Sequence, residues 1–308
     1  MVTQLPRSAG SPRRPGSRYT PDSFRSPDSF RSPDSPDPPD LGRPHHRRLV
    51  LHRVEHIMGT VISVDVRDPG IAPPVLDDVF AHLRDVDARF STYKAGSEIS
   101  RLARGELAEA ECSPDVRYVL ALCDDLARTS SGYFDARNHR PDGLLDPSGV
   151  VKGWSIEEAT WILDEAGGSN YMVNAGGDIV ARGEPEPGQP WRVGIRHPLQ
   201  ADRLAAVLAV RDRAVATSGA YERGEHIVDP HTGQPPAGLL SVTIVGPSLT
   251  YADAYATAAF AMGLDGLPWV AEHPGYDAYG ITADERVLWT PGLEPYLVAG
   301  EPAERQTA

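Results

Sequence analysis

The sequence predicts an α+β fold, with mixed, largely antiparallel sheets and packed helices. Three observations predict it. Short runs such as Val61–Val66 alternate apolar and polar residues, as half-buried strands do. Other segments carry apolar residues at helical spacing, as Leu76, Val79, Phe80, Leu83 and Val86 do. Strands and helices also follow one another without a regular βαβ beat, which argues against a parallel sheet.

Taken in order, Leu49–Val54 and Val61–Val66 read as two strands, interrupted by His56-Ile57-Met58-Gly59-Thr60 with its glycine. Val75–Phe90 reads as a helix that Ser91-Thr92-Tyr93 ends. Ser97 caps a short helix that opens at Glu98. Ser113–Ser130 is the next helix, capped by Ser113 and stopped by Ser131-Gly132. Tyr133-Phe134-Asp135 follows as a short extended piece, and Ala136–Gly143 is a polar stretch. Trp154–Ala166 is a third long helix. Tyr171–Asn174 and Ile179–Ala181 are strands around a Gly176-Gly177 turn. Trp191–Ile195, Leu204–Val210, Val215–Thr217, His226–Asp229 and Leu240–Val245 are further strands. Ala252–Met262 is a small-residue helix, and Tyr279–Thr282 with Val287–Leu288 forms a terminal hairpin.

Composition divides the 308 residues unevenly. Residues 1–48 are rich in Pro, Ser, Asp and Arg, and Pro-Asp-Ser-Phe-Arg-Ser repeats from Pro21 to Ser32. Such a segment buries too little apolar surface to offset its ordering entropy and is expected to be a disordered tail. Residues 49–300 are expected to form one large domain or two intimately joined lobes, and 301–308 a C-terminal tail. Nine arginines and five aspartates give the N-terminal tail a charge of +4. The other 260 residues carry 21 basic and 38 acidic side chains, or −17. A body that acidic argues against a nucleic-acid-binding surface. It leaves room for nucleotides, which local cations, helix N-termini or a bound metal can hold.

Cys112 and Cys123 are the two cysteines, and they fit neither a metal motif nor a disulfide framework. Free thiols point to a reducing compartment. Neither a signal peptide nor an integral membrane segment is visible. A cytoplasmic location is therefore expected, with room for peripheral association with a membrane protein.

Several constellations carry chemistry. Residues 214–233 concentrate reactive groups, and two strands joined by a tight turn would bring Ser218, Tyr221, His226 and Asp229 together. His226 is the best general-base candidate, with Asp229 placed to orient it; a half-exposed strand histidine would look the same in sequence. Asp253 and Thr257 stand four apart on a helix, a carboxylate and a hydroxyl suited to Mg²⁺. The same spacing also suits Asp253 as an early-helix residue and Thr257 bonding back to its own helix. Gly149-Val150-Val151-Lys152-Gly153 resembles an anion-binding turn ahead of a helix, or an ordinary connection with a solvent-facing lysine. It is not a Walker A loop. Asn174-Ala175-Gly176-Gly177-Asp178 reads as a hairpin turn, or as a close backbone approach to a ligand.

The ordered set of segments resembles the FAD:protein FMN transferase family, also called the ApbE family. The matching segments are Met58-Gly59-Thr60, then Phe90-Ser91-Thr92-Tyr93 with Ser97–Leu102, and Gly132-Tyr133-Phe134-Asp135. They continue with Leu145-Asp146 through Lys152-Gly153, Val173-Asn174 with Gly176-Gly177-Asp178, and Ala216–Gly219. His226–Gly233 and Ala252-Asp253 with Ala256-Thr257 complete the set. The resemblance implies an ApbE-like, T-fold-related architecture over 49–300. It also implies Mg²⁺-dependent splitting of FAD, with FMN joined by a phosphodiester to a Thr or Ser of a target flavoprotein and AMP released. The family's FAD contacts map to Met58, Tyr93, Tyr133, Phe134, Asp135, Asp146, Lys152 and Ile227. His226 joins Ile227 among those contacts, and the family's metal ligands map to the Gly149 carbonyl, Asp253 and Thr257; in that mechanism His226, as the catalytic residue, would take the acceptor hydroxyl's proton. The 135–146 segment is shorter than in many relatives. Pro147-Ser148 stands where relatives often have an apolar residue and a glycine, and no lipobox is visible. An FAD pyrophosphatase giving free FMN and AMP, and a non-enzymatic flavin-binding module, are the alternatives.

Overall fold

The computed structural model describes residues 50–137, 144–220 and 227–299. An eight-stranded sheet forms its centre, in the order β1-β2-β3-β4-β7-β8-β9-β10, with every neighbouring pair antiparallel. β1 (Leu51–Ile57) and β2 (Thr60–Val66) join through Met58 and Gly59, both at positive φ (55° and 71°), the signature of a two-residue hairpin turn. β3 (Tyr171–Ala175) and β4 (Asp178–Arg182) join the same way through Gly176 and Gly177. A Cβ on Gly176 would lie 2.3 Å from Thr60 Oγ1, so glycine is required there on two counts. β7 (Arg213–Gly219), β8 (Leu239–Gly246), β9 (Asp277–Thr282) and β10 (Val287–Trp289) complete the sheet. β5 (Trp191–Arg196) and β6 (Leu204–Val210) form a separate hairpin.

The strand period of two sorts side chains onto two cores. Val180, Ala214, Ala216, Val242 and Ile244 face the helices. Their neighbours Ile179, Ala181, Val215 and Val245 face the other way and pack with Trp191, Val193 and Leu208 of the β5–β6 hairpin. The sheet's centre is thus covered on both sides.

The helices are α1 (Pro74–Phe90), α2 (Glu98–Ala103), α3 (Pro114–Thr129), α4 (Ser148–Glu165), α5 (Leu249–Met262) and α6 (Gly266–Ala271). α1 and α3 bury the apolar stripes their spacing predicts. Ser97 Oγ accepts the Ser100 N–H at 3.0 Å, so the expected cap is made. Ser113 holds the N-cap position of α3, but its hydroxyl makes no capping bond. Glu98 from α2 instead accepts the Ser113 N–H at 2.6 Å.

Three expectations need correction. α4 begins at Ser148, six residues before the expected start at Trp154, so Gly149 and Gly153 are helical. Tyr133-Phe134-Asp135 is a bend, folded back on Ser130 by bonds from the Tyr133 N–H to its carbonyl and the Phe134 N–H to its hydroxyl. The described part of 226–229 is not a strand beside β7: Asp229 makes one isolated bridge to Gln234. β7 already has β4 on one side and β8 on the other, so it offers no free edge. Both cysteines are buried free thiols, and burial pushes the Cys123 thiol up to about 12. No helix among the described residues is long and apolar enough to cross a membrane.

Candidate active site

α4 and α5 cross closely because Gly153 has no side chain. A Cβ there would lie 2.6 Å from the Leu249 carbonyl oxygen and 3.0 Å from Asp253 Cβ. Glu157 of α4 fixes the start of α5, accepting from the Ser248 hydroxyl at 2.7 Å and the Thr250 N–H at 3.1 Å. α5 itself is buried almost all round, which its alanine-rich sequence permits. Thr250, Asp253 and Thr257 are its polar exceptions.

Asp253 is 3% exposed. Its Oδ2 accepts the Gly153 N–H at 3.0 Å. In a regular helix that N–H would serve the Gly149 carbonyl. The carboxylate therefore competes with the Gly149 carbonyl for that proton. A Cβ on Gly149 would stand 3.6 Å from Thr257 Oγ1 and 3.1 Å from the Phe134 ring, so Gly149, Thr257 and Phe134 meet at one point.

Lys152, one turn along α4, reaches between two acids. Its ammonium pairs with Asp178 and lies 3.6 Å from Asp253 Oδ1. Asp178, the first residue of β4, is 1% exposed, and its Oδ1 accepts the Thr217 N–H of β7 at 3.1 Å. In the sequence Asp178 reads as the end of a hairpin turn, and nothing local marks it as a site residue beyond its being an acid directly after Gly176-Gly177.

Gly149, Lys152, Asp253 and Thr257 line one open cleft, with Asp178 buried behind the lysine. Its lining brings together Tyr133, Phe134, Asp135, Asp146, Gly149, Lys152, Ile227, Asp253 and Thr257, nine of the twelve residues expected from sequence. Thr217 and Ser218 of β7 join them. Turn bonds hold the opposite wall. Asp146 Oδ1 accepts the Ser148 N–H at 3.0 Å, and its own N–H reaches the Ala136 carbonyl at 2.8 Å. The Tyr133 ring meets His231 edge-on at 4.6 Å. Asp229 closes the 229–233 turn: its oxygens accept from the His231 backbone N–H and the Thr232 hydroxyl, both at 2.9 Å.

Met58 and Tyr93 do not line the cleft. The Met58 sulfur lies 3.7 Å from the Ser155 hydroxyl on α4, and Tyr93 is 94% exposed. His226 and Tyr221 lie outside the described residues.

The fold and the sequence both have close parallels. The chain matches the solved flavin transferase ApbE from Vibrio cholerae with a TM-score of 0.71 at 24% identity, over 80% of this chain and 99% of that one. The ApbE protein from Thermotoga maritima gives a TM-score of 0.71 at 22% identity, with the same coverage. Among curated proteins, the FAD:protein FMN transferase of Haemophilus influenzae is 27% identical, over 72% of this chain and 83% of that protein. The Escherichia coli K12 protein of the same name is 31% identical over 52% of this chain, which spans about half (49%) of that relative's length. The family model described as "ApbE family" matches residues 58–138 and 136–280. With most of the chain covered in that way, and with the fold of solved ApbE proteins, the chain belongs to the ApbE family of flavin transferases.

Proposed function

We propose that this chain is an Mg²⁺-dependent FAD:protein FMN transferase, joining FMN to a Thr or Ser hydroxyl of a target protein and releasing AMP. The observation that supports it best is the convergence in one cleft of the Gly149 backbone, Asp253, Thr257, the Lys152 ammonium and the aromatic bend at Tyr133-Phe134. The relatives' shared name supports the same reading.

The donor set fits Mg²⁺. Among the described residues no group of three or more His, Cys, Asp or Glu side chains is placed to hold a metal. One carboxylate and two neutral oxygens would leave positions for water and substrate phosphate, as Mg²⁺ prefers. Bound there, it would neutralise pyrophosphate oxygens and stabilise the departing AMP. Lys152 offsets phosphate charge from the α4 side. The N-terminal turn of α4, with Ser148 and Gly149 in the lining, adds its dipole. Tyr133 and Phe134 offer apolar surface to flavin or adenine. His226, adjacent in sequence to the cleft residue Ile227, takes the acceptor hydroxyl's proton as its oxygen bonds to phosphorus and the bond to AMP breaks.

The test is incubation with FAD and Mg²⁺, with and without candidate acceptor flavoproteins. In-gel flavin fluorescence on an acceptor band, lost when its Thr or Ser is replaced by Ala, is the expected result. FMN and AMP released at the same rate without any acceptor would favour the pyrophosphatase instead.

A further inference from the structure

Lys152 is shared unequally between two buried acids, and the backbone explains why. Each carboxylate has one oxygen engaged by a backbone N–H: Asp178 Oδ1 by Thr217, and Asp253 Oδ2 by Gly153. The other oxygen of each faces the ammonium. Asp178 Oδ2 is in ion-pair contact, whereas Asp253 Oδ1 stands off at 3.6 Å. Among the described residues no backbone N–H reaches Asp178 Oδ2, so the Lys152 ammonium is what serves that oxygen.

We infer that Asp178 is a positioning residue that holds the Lys152 ammonium off Asp253 and so keeps Asp253 open to a divalent cation. The inference rests on the reading of the cleft as an Mg²⁺ site. A lysine is a compact charge on a flexible stem. Without an anion at Asp178, the ammonium's nearest buried carboxylate among the described residues is Asp253, already within salt-bridge range. There it would be an internal cation competing for the carboxylate that a metal needs. Asp178 is itself fixed: it pairs with Ala175 of β3 across the Gly176-Gly177 turn, and the Thr217 N–H orients its carboxylate. Partners one step removed from a metal commonly change its affinity about 10–100-fold.

The experiment measures Mn²⁺ binding by electron paramagnetic resonance on the full chain, without FAD turnover. It compares wild type, Asp178→Asn, Lys152→Met, the double variant and Asp253→Asn, with melting temperatures alongside. Asp178→Asn keeps an oxygen for Thr217 and removes the charge; its Mn²⁺ Kd should rise about 10–100-fold. Lys152→Met should bind Mn²⁺ at least as tightly as wild type, and the double variant should regain the affinity that Asp178→Asn loses. Wild-type affinity in a folded Asp178→Asn, or weaker binding in Lys152→Met, overturns the inference while Asp253→Asn still abolishes binding. If Asp178→Asn does not fold, Lys152→Met decides alone. If Asp253→Asn binds Mn²⁺ like wild type, the metal reading fails, and the inference with it.

Discussion

The two sides of the cleft are built by different means. One side is a floor of regular structure: α4, α5 and the first residue of β4 place Lys152, Asp178, Asp253 and Thr257. The other is a wall of bends, at residues 133–136, 146 and 227–228, held by local hydrogen bonds. The floor carries Lys152 and Asp253, whereas the wall presents the Tyr133 and Phe134 rings with Asp135 and Asp146 beside them. Charge chemistry depends on positions held to fractions of an ångström, which helices and strands supply. Loops adjust to a ligand's shape more readily. Substitutions on the floor should therefore alter turnover or folding, and those on the wall should alter affinity.

The largest effect is expected on the floor, at Asp253. Asp253→Asn keeps an acceptor for the Gly153 N–H, so the α4–α5 crossing should survive and the melting temperature should change little. FMN transfer should fall about 10³-fold or more, because a metal supplies several kcal/mol and each 1.36 kcal/mol is tenfold in rate. A variant that folds like wild type and transfers FMN at near-normal rates would remove Asp253 from the chemistry.

Gly153→Ala tests the floor's construction rather than its charge. The added methyl meets backbone at 2.6 Å, with no flexible side chain to yield. Overpacking of this kind costs about 1–3 kcal/mol. Thermal unfolding should register it as a loss of roughly 2–4 °C for each kcal/mol. An unchanged melting temperature would mean that the helices separate freely.

On the wall, Tyr133→Ala should act differently. The ring is half-buried and packs edge-on against His231, so folding should tolerate its loss. An aromatic contact with ligand contributes about 0.5–1.5 kcal/mol, which predicts an FAD Kd about 2- to 10-fold weaker with turnover at saturation little changed. A drop in turnover with unchanged FAD affinity would erase the distinction between floor and wall.

The same division governs what was legible in the sequence. α1, α3 and the hairpins at Met58-Gly59 and Gly176-Gly177 could be read because their signals are local: apolar spacing, caps and positive-φ glycines. Asp253 and Thr257 were legible because one helix carries both. The start of α4 was not, since Gly149 and Gly153 look like loop punctuation until α5 and Phe134 are seen packed against them. Asp178 escaped for the same reason: its partner Lys152 lies on another element, and no local spacing connects them. The expected strand at 226–229 failed on topology, because alternation cannot show that β7 already has two neighbours. Tyr93 fits the family's order of motifs, yet its ring lies at the surface and is not part of the cleft lining.

The smallest effect concerns the back of the floor, where α1 meets α4. His82 on α1 has a buried Nε2 with no hydrogen-bond partner among the described residues. Burial, and next the Arg89 guanidinium, hold its pKa below the usual histidine value, outweighing the pull of Asp85 and Asp115. The folded state thus disfavours the proton that the unfolded chain takes up readily. Stability is fully present above the unfolded value of about 6.5 and declines as pH falls through the lower folded value. One proton limits the slope to about 1.36 kcal/mol per pH unit. His82→Gln, which cannot titrate, should flatten this part of the profile. Denaturant unfolding of both proteins between pH 7.5 and 5 provides the comparison, with carboxylate contributions common to the two. Parallel profiles would show that His82 takes up its proton in the folded state as easily as in the unfolded chain, and that the back of α4 is wetter than its packing implies.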